Sequence, residues 1–133
     1  MTVAVDASAV VEILAGDDDR RRAAILGAAG SDPHWVVPEH FLLEVISALR
    51  GRLLGHHIDR AQFASAVVAL REFEFDVWPT AGLLPRIVEL TDDAAPYDAA
   101  YLAVAEELGC PLVTADGKLA RVPGITCRVV GWE

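Results

Sequence analysis

The sequence predicts a three-layer α/β/α sandwich around a mostly parallel sheet, formed as one domain over residues 1–133. Three observations predict it. Short apolar runs rich in β-branched residues alternate with helix-length segments, the order of β-α-β units joined by right-handed crossovers. Hydrophobic residues make up 53% of the chain and charged residues 23%, enough apolar material for a core and too little charge for disorder. No repeat, low-complexity tract or linker interrupts the alternation.

Thr2-Val3-Ala4-Val5 reads as a strand buried on both faces, stopping at Asp6. Ala7 to Leu14 reads as a helix closed by Gly16. Asp17-Asp18-Asp19 then caps a second helix running through Arg20-Arg21-Arg22 to Ala29 and ending near Gly30. Trp35-Val36-Val37 is the next strand. Pro38 suits the first position of a helix over residues 39–50, which Gly51 and Gly55 break. Asp59 and Gln62 form the pattern of a capping box for a helix reaching about Glu72. Phe75 to Trp78 alternates like a strand, and Leu83 to Leu90 is helical. Pro96 opens a helix to Leu108, with Gly109 at its C-cap and Pro111 just beyond. Leu112-Val113-Thr114 is a strand, Lys118 to Arg121 a helical turn, and Thr126 to Val130 a last strand.

Several function classes are disfavoured at once. No apolar run approaches the roughly 20 residues that span a bilayer, and no charged segment precedes an apolar one at the N-terminus, so a soluble cytoplasmic protein is expected. Cys110 and Cys127 are too few for a disulfide framework or a Cys/His zinc site, and read as small core residues. Twenty acidic residues against 11 basic ones give a net charge of -9, which argues against nucleic acid unless divalent cations offset some carboxylates. All the basic residues but Lys118 are arginine, the side chain suited to bidentate phosphate contacts.

Four acids fall where a parallel sheet binds ligands or at the edge of a helix's apolar stripe. Asp6 directly follows the first strand, and Asp116 lies two residues past Leu112-Val113-Thr114. Glu44 borders the stripe of Phe41, Leu42, Val45 and Leu49, where a carboxylate is poorly solvated. Asp98 adjoins an inward face made by Tyr97, Tyr101, Val104 and Leu108. Each acid has an ordinary role open to it as well. Asp6 can N-cap the following helix, Asp98 can answer a helix dipole, and Asp116-Gly117 is a common turn pair. Taken together, four carboxylates drawn close would repel, and a hard cation such as Mg2+ or Mn2+ relieves that repulsion with oxygen ligands.

The opening Val5-Asp6-Ala7-Ser8-Ala9, the middle Glu39-His40-Phe41-Leu42-Leu43-Glu44-Val45 and the block Tyr97-Asp98-Ala99-Ala100-Tyr101-Leu102-Ala103-Val104-Ala105 carry a resemblance, completed by Leu112-Val113-Thr114-Ala115-Asp116. Over essentially its whole length the chain resembles the PIN-domain family, more narrowly the VapC-type ribonuclease toxins of bacterial toxin-antitoxin pairs. That resemblance implies a Mg2+-dependent endoribonuclease, with Mn2+ as a substitute, in which Asp6, Glu44, Asp98 and Asp116 are the catalytic and metal-binding acids. Ser8 and Thr114 match its accessory hydroxyl positions. A metal held by Asp6 and Asp98, with Asp116 and Glu44 completing the surroundings, can activate water for attack on an RNA phosphodiester. Spacing does not distinguish one ion from two, nor whether Glu44 orients water or binds a second ion. The resemblance also implies a homodimer and a small VapB-like antitoxin whose C-terminal segment covers the active site.

Two other readings are open. One is a catalytically silent PIN-like binding module. The other is an aspartate-based phosphotransfer or phosphatase domain, although the phosphatase pattern wants an acid at the position of Ser8. For RNA, Arg50, Arg52, His56, His57, Lys118 and Arg121 follow two of the acids closely and read either as phosphate contacts or, equally well, as solvated cations at helix ends, while Arg20-Arg21-Arg22 reads as a solvated or partner-facing run. The role of Arg86 stays open. His34 and His40 read as local hydrogen-bonding groups, and Trp35, Trp78 and Trp132 as packing rather than a base-stacking platform. The helix bearing Phe63, Val67, Leu70 and Phe73 packs on the core by default, or offers a face to a dimer or antitoxin.

Overall fold

Five short strands set the frame in the computed structural model, which describes residues 1–133. They are β1 (Thr2–Val5), β2 (His34–Pro38), β3 (Phe75–Trp78), β4 (Leu112–Val113) and β5 (Val129–Val130). All pair in parallel, in the order β3-β2-β1-β4-β5. The three central strands are almost wholly apolar because helices cover both faces, as parallel sheets require.

The helices are α1 (Ala7–Ala15), α2 (Asp19–Ala29), α3 (Phe41–Leu54), α4 (Arg60–Glu72), α5 (Leu84–Leu90) and α6 (Pro96–Leu108). The chain moves from β1 to β2 to β3 in one direction and then jumps back past β1 to β4. With right-handed crossovers, that reversal moves the later helices to the other face. Accordingly α1 packs with α2, α3 and α4, whereas α6 pairs with α5 and lies across β1, β2 and β4. The place where the order reverses, between β1 and β4, is where open parallel sheets bind ligands.

Apolar spacing explains how the helices seat. On α3, Phe41, Val45 and Leu49 recur every fourth residue and are fully enclosed. Every residue from Ala99 to Ala105 on α6 is buried, so this helix lies inside the core rather than on it. The capping box of Asp59 and Gln62 is formed, with Gln62 N donating to Asp59 Oδ1 at 2.7 Å and Asp59 N donating to Gln62 Oε1 at 2.8 Å. Arg86 clamps the second face. Its Nε and Nη2 meet Glu106 at 2.8 and 3.0 Å and its Nη2 also donates to Gly124 O at 2.8 Å, which ties α5, α6 and the C-terminal loop together.

Several expected details differ. Pro38 does not open a helix. It closes β2, where it stands opposite Trp78 and a strand end loses little from its missing N–H. The following helix therefore begins at Phe41, and it passes through Gly51 to Leu54 because Val45, Leu49 and Leu53 keep burying its inner face. The last strand shrinks to Val129–Val130. Leu42 and Tyr97, both expected on inner faces, are exposed, as α3 and α6 are turned so that Phe41 and Tyr101 point in. Leu70 is buried and Phe63, Val67 and Phe73 pack against the core, so that side of α4 is interior. Trp35 packs edge-on against Phe73 and forms no open aromatic platform.

Two of the three arginines of α2 are not simply solvated. Arg22 bonds Gly16 O and Asp19, and Arg21 reaches Ala115 O at 3.2 Å. Arg52, read as a phosphate contact or a solvated cation, donates instead to Glu12 Oε1 at 2.8 Å and to Ala15 O at 3.2 Å. Glu12 is only 6% exposed, so that pairing compensates a buried charge.

A methyl group at Gly51 would meet no other atom, so this glycine only weakens the helix it sits in. Gly51→Ala is expected to stabilise the protein by about 0.5–1 kcal/mol in urea unfolding. A lower midpoint would show that the helix needs a glycine there.

Candidate active site

The register of β1 against β4 builds the centre of the site. Ala4 pairs with Leu112 and Val5 with Val113, so the next residues, Asp6 and Thr114, come out side by side at the carboxyl edge. Thr114 Oγ1 donates to Asp6 Oδ2 at 2.6 Å. Ser8, on the first turn of α1, donates from Oγ to Asp6 Oδ1 at 2.7 Å, and Ala9 N donates to the same oxygen at 3.1 Å. Asp6 is thus the N-cap of α1 and a member of this site at once.

Both hydroxyls are fixed in orientation by what they accept. Ala115 N donates to Ser8 Oγ at 3.1 Å, and Asp116 N donates to Thr114 Oγ1 at 2.9 Å. Each hydroxyl thereby turns its single proton toward Asp6 while its lone pair holds the loop that carries Asp116. The loop is also held from outside. Arg21 bonds Ala115 O, and Trp132 lies so close on Gly117 that a Cβ there would stand 2.8 Å from the ring. Gly131, at φ +96, brings that tryptophan back, and its Cα faces Thr114 O where a side chain would stand 3.1 Å away.

Asp116 caps the 3-10 turn Gly117–Arg121, accepting at Oδ1 from Lys118 N at 3.0 Å. Asp98, in the first turn of α6, points to the same place. Lys118 Nζ lies 3.5 Å from Asp98 Oδ2 and 3.4 Å from Asp116 Oδ2, one ammonium between two carboxylates. Lys118, read as a phosphate contact or a solvated cation, is paired with the acids instead. Glu44 enters from α3, half-buried, with Oε2 3.3 Å from His40 Nε2. The His40 ring lies against Tyr97 and Tyr101, with centroids 5.4 and 5.0 Å away.

Charge shows that the four acids sense one another. Asp6 is 4% exposed, and burial pushes its pKa up to about 6 against the pull of its three hydrogen bonds, with the charge of Asp98 adding to the rise. Asp98 is raised by burial, lowered by Lys118, and raised again by Glu44 and Asp116. Lys118 is raised by Asp98 and Asp116. The Tyr101 hydroxyl is enclosed without a well-formed hydrogen bond, and burial plus the charges of Glu44 and Asp6 push its pKa up.

The four acids predicted from sequence therefore share one edge of the sheet, and the two accessory hydroxyls do bond them. They do not close into a shell: no three His, Cys, Asp or Glu side chains converge to hold an ion unaided. The donor set nonetheless suits a hard divalent cation. It is all carboxylate oxygen, and it already gathers around a positive charge. Sequence reasoning missed the place of Lys118 between the acids and the hold of Arg21 on their loop. The spacing of Lys118, two residues after Asp116, was the available signal; none pointed to Arg21.

Comparison with known proteins identifies the fold and the family. The PIN domain model matches residues 3–125. Ribonuclease VapC12 of Mycobacterium tuberculosis is 34% identical over 131 residues, 96% of each chain. Ribonuclease VapC1 of the same organism is 34% identical over 94% of this chain and 93% of its own. Among solved structures, M. tuberculosis VapC20, a Sarcin-Ricin loop cleaving toxin, superposes with a TM-score of 0.65 at 21% identity, covering 93% of this chain and 96% of that one. A chain of Rickettsia felis VapBC2, solved with a promoter DNA fragment, gives 0.64 at 14% identity, covering 98% and 99%. With a family model spanning nearly all its elements and relatives alike along almost their full lengths, the chain belongs to the PIN-domain family, in its VapC branch.

Proposed function

We propose that this protein is a divalent-metal-dependent endoribonuclease, Mg2+ being the expected ion, and the toxin of a VapBC-type pair. The observation that carries the reading is the pair Asp98 and Asp116 on either side of a single cationic nitrogen, with Asp6 and Glu44 in electrostatic contact. Relatives named ribonucleases at 34% identity over nearly the full chain support the reaction class. The VapBC2 structure supports a small VapB-like antitoxin as partner, and a homodimer is part of the same proposal. No helix is long and apolar enough to cross a membrane.

Asp98 and Asp116 would hold the ion, with Asp6 behind them and Glu44 at the side. A divalent cation bound there supplies a Lewis acid and lowers the pKa of water enough for it to attack a phosphodiester at neutral pH. Asp6 keeps its orientation through Ser8, Thr114 and Ala9 and supplies negative charge that does not reorient during the reaction. Glu44 is the carboxylate placed to orient the attacking water and take its proton, since no backbone amide or hydroxyl of the Asp6 network holds it and it sits beside His40 and the Tyr101 hydroxyl. Thr114 links both ends of the site, donating to Asp6 and accepting from Asp116 N.

Purified protein incubated with structured RNA and Mn2+ is expected to cleave it, to stop on chelation, and to lose cleavage in Asp98→Asn. Cleavage that survives both would refute the proposed site. Thr114→Val, which keeps shape and removes the hydroxyl, is expected to lower the cleavage rate by about 10–100-fold with the fold intact by circular dichroism.

A pH dependence follows from Asp6. Its folded pKa lies above its unfolded one, so the native state binds the proton more tightly, and metal-free stability falls as pH rises from about 4 to about 6. A bound cation favours the ionised form and reverses that loss. Unfolding midpoints measured in Mg2+ and in chelator are expected to diverge progressively across that window. A gap that stays constant with pH would contradict it.

A further inference from the structure

The carboxylate group already contains a cation of the protein's own. We propose that Lys118 is the resident counter-ion of this site, which a divalent cation displaces, and that Lys118 thereby sets the affinity for the ion. The proposal rests on the metal-binding reading above.

Its ammonium lies within 3.5 Å of one oxygen of Asp98 and of Asp116, the two acids that would hold the ion. Two positive charges do not share that space, so binding one entails the departure of the other. Departure is easy. The Lys118 side chain is 64% exposed, and its flexible stem can carry the ammonium into water, where it regains hydration and rotamer freedom. The loop does not follow it, because Lys118 N donates to Asp116 Oδ1 and Asp116 N to Thr114 Oγ1. The backbone of Lys118 orients one oxygen of Asp116 while its side chain neutralises the other.

The residue type fits the role. This is the only lysine among 11 Lys and Arg residues. An arginine would grip the carboxylates through a planar fork and two parallel hydrogen bonds, whereas an ammonium is a compact, readily hydrated point charge. The arginines nearest the loop and α1 are engaged elsewhere. Arg21 is committed to Ala115 O and Glu12, and Arg52 to Glu12 and Ala15 O.

The test is Mn2+ binding by calorimetry to the full-length wild type, Lys118→Met, Lys118→Arg and Asp98→Asn. Removing the competitor is expected to tighten binding by about fivefold, the worth of a partly exposed ion pair. Lys118→Arg is expected to weaken it. The single lysine also gives one side-chain amine signal in 15N NMR, which Mg2+ should shift toward the position of a free, hydrated lysine. In chelator, Lys118→Met is expected to melt below the wild type, and in saturating Mn2+ the two should coincide. If Lys118→Met and wild type bind Mn2+ equally while Asp98→Asn does not bind, the ion site stands and the proposal falls. If wild type itself fails to bind Mn2+, the metal reading fails and the proposal with it.

Discussion

Burial at the carboxyl edge of the sheet strains Asp6 and Asp98, and the charges of Glu44 and Asp116 on Asp98, and of Asp98 on Asp6, add to it. The neighbouring structure is organised around that strain. A carboxylate 4% exposed to water carries a large desolvation cost, and three donors aimed at it offset only part of that cost, since its pKa still rises to about 6. The remaining imbalance is what a cation relieves. For Asp98 and Asp116 one lysine provides a partial answer, bound loosely enough to be exchanged for a stronger cation.

Rigidity and exposure are divided among the acids. Asp6 is fixed at the end of β1, where backbone register and two hydroxyls leave it little freedom. Asp116 stands on a loop whose amides are tied to those same hydroxyls, whose carbonyl is tied to Arg21, and whose glycine receives a tryptophan ring. Asp98 rides on the most deeply buried helix of the fold. Glu44, half-buried on α3, lies against His40 and the Tyr101 hydroxyl. Cations elsewhere are used to hold the frame: Arg52 neutralises Glu12, and Arg86 joins three segments through Glu106.

Much of this was legible in the sequence because local chemistry and tertiary structure agree. Apolar runs ending in Asp6 and Thr114 located the strand ends, and the Asp59 and Gln62 box, Pro96 and Gly109 marked helix termini that the structure keeps. Asp6 and Asp116 came out on one edge because parallel topology places strand ends together, and Glu44 and Asp98 join them from α3 and α6. What local reasoning misjudged were cases decided by distant partners. Pro38 joined a strand because Trp78 lies opposite, Gly51 stayed helical because its neighbours on α3 are buried, and Arg21 and Arg52 found partners in Ala115 O and Glu12. Lys118 could be placed near the acids by sequence, but the convergence of Asp98 from another element was needed to make it a counter-ion.

The strain that burial and neighbouring charge place on these acids is measured most directly by 13C NMR titration of the side-chain carboxyl carbons, Asp6 above all, with and without Mg2+. Without the ion, Asp6 should titrate near 6, and with it the transition should fall into or below the ordinary carboxylate range. An Asp6 that titrates in the ordinary range in both conditions, indifferent to Mg2+, would mean that these carboxylates form neither a strained group nor an ion site.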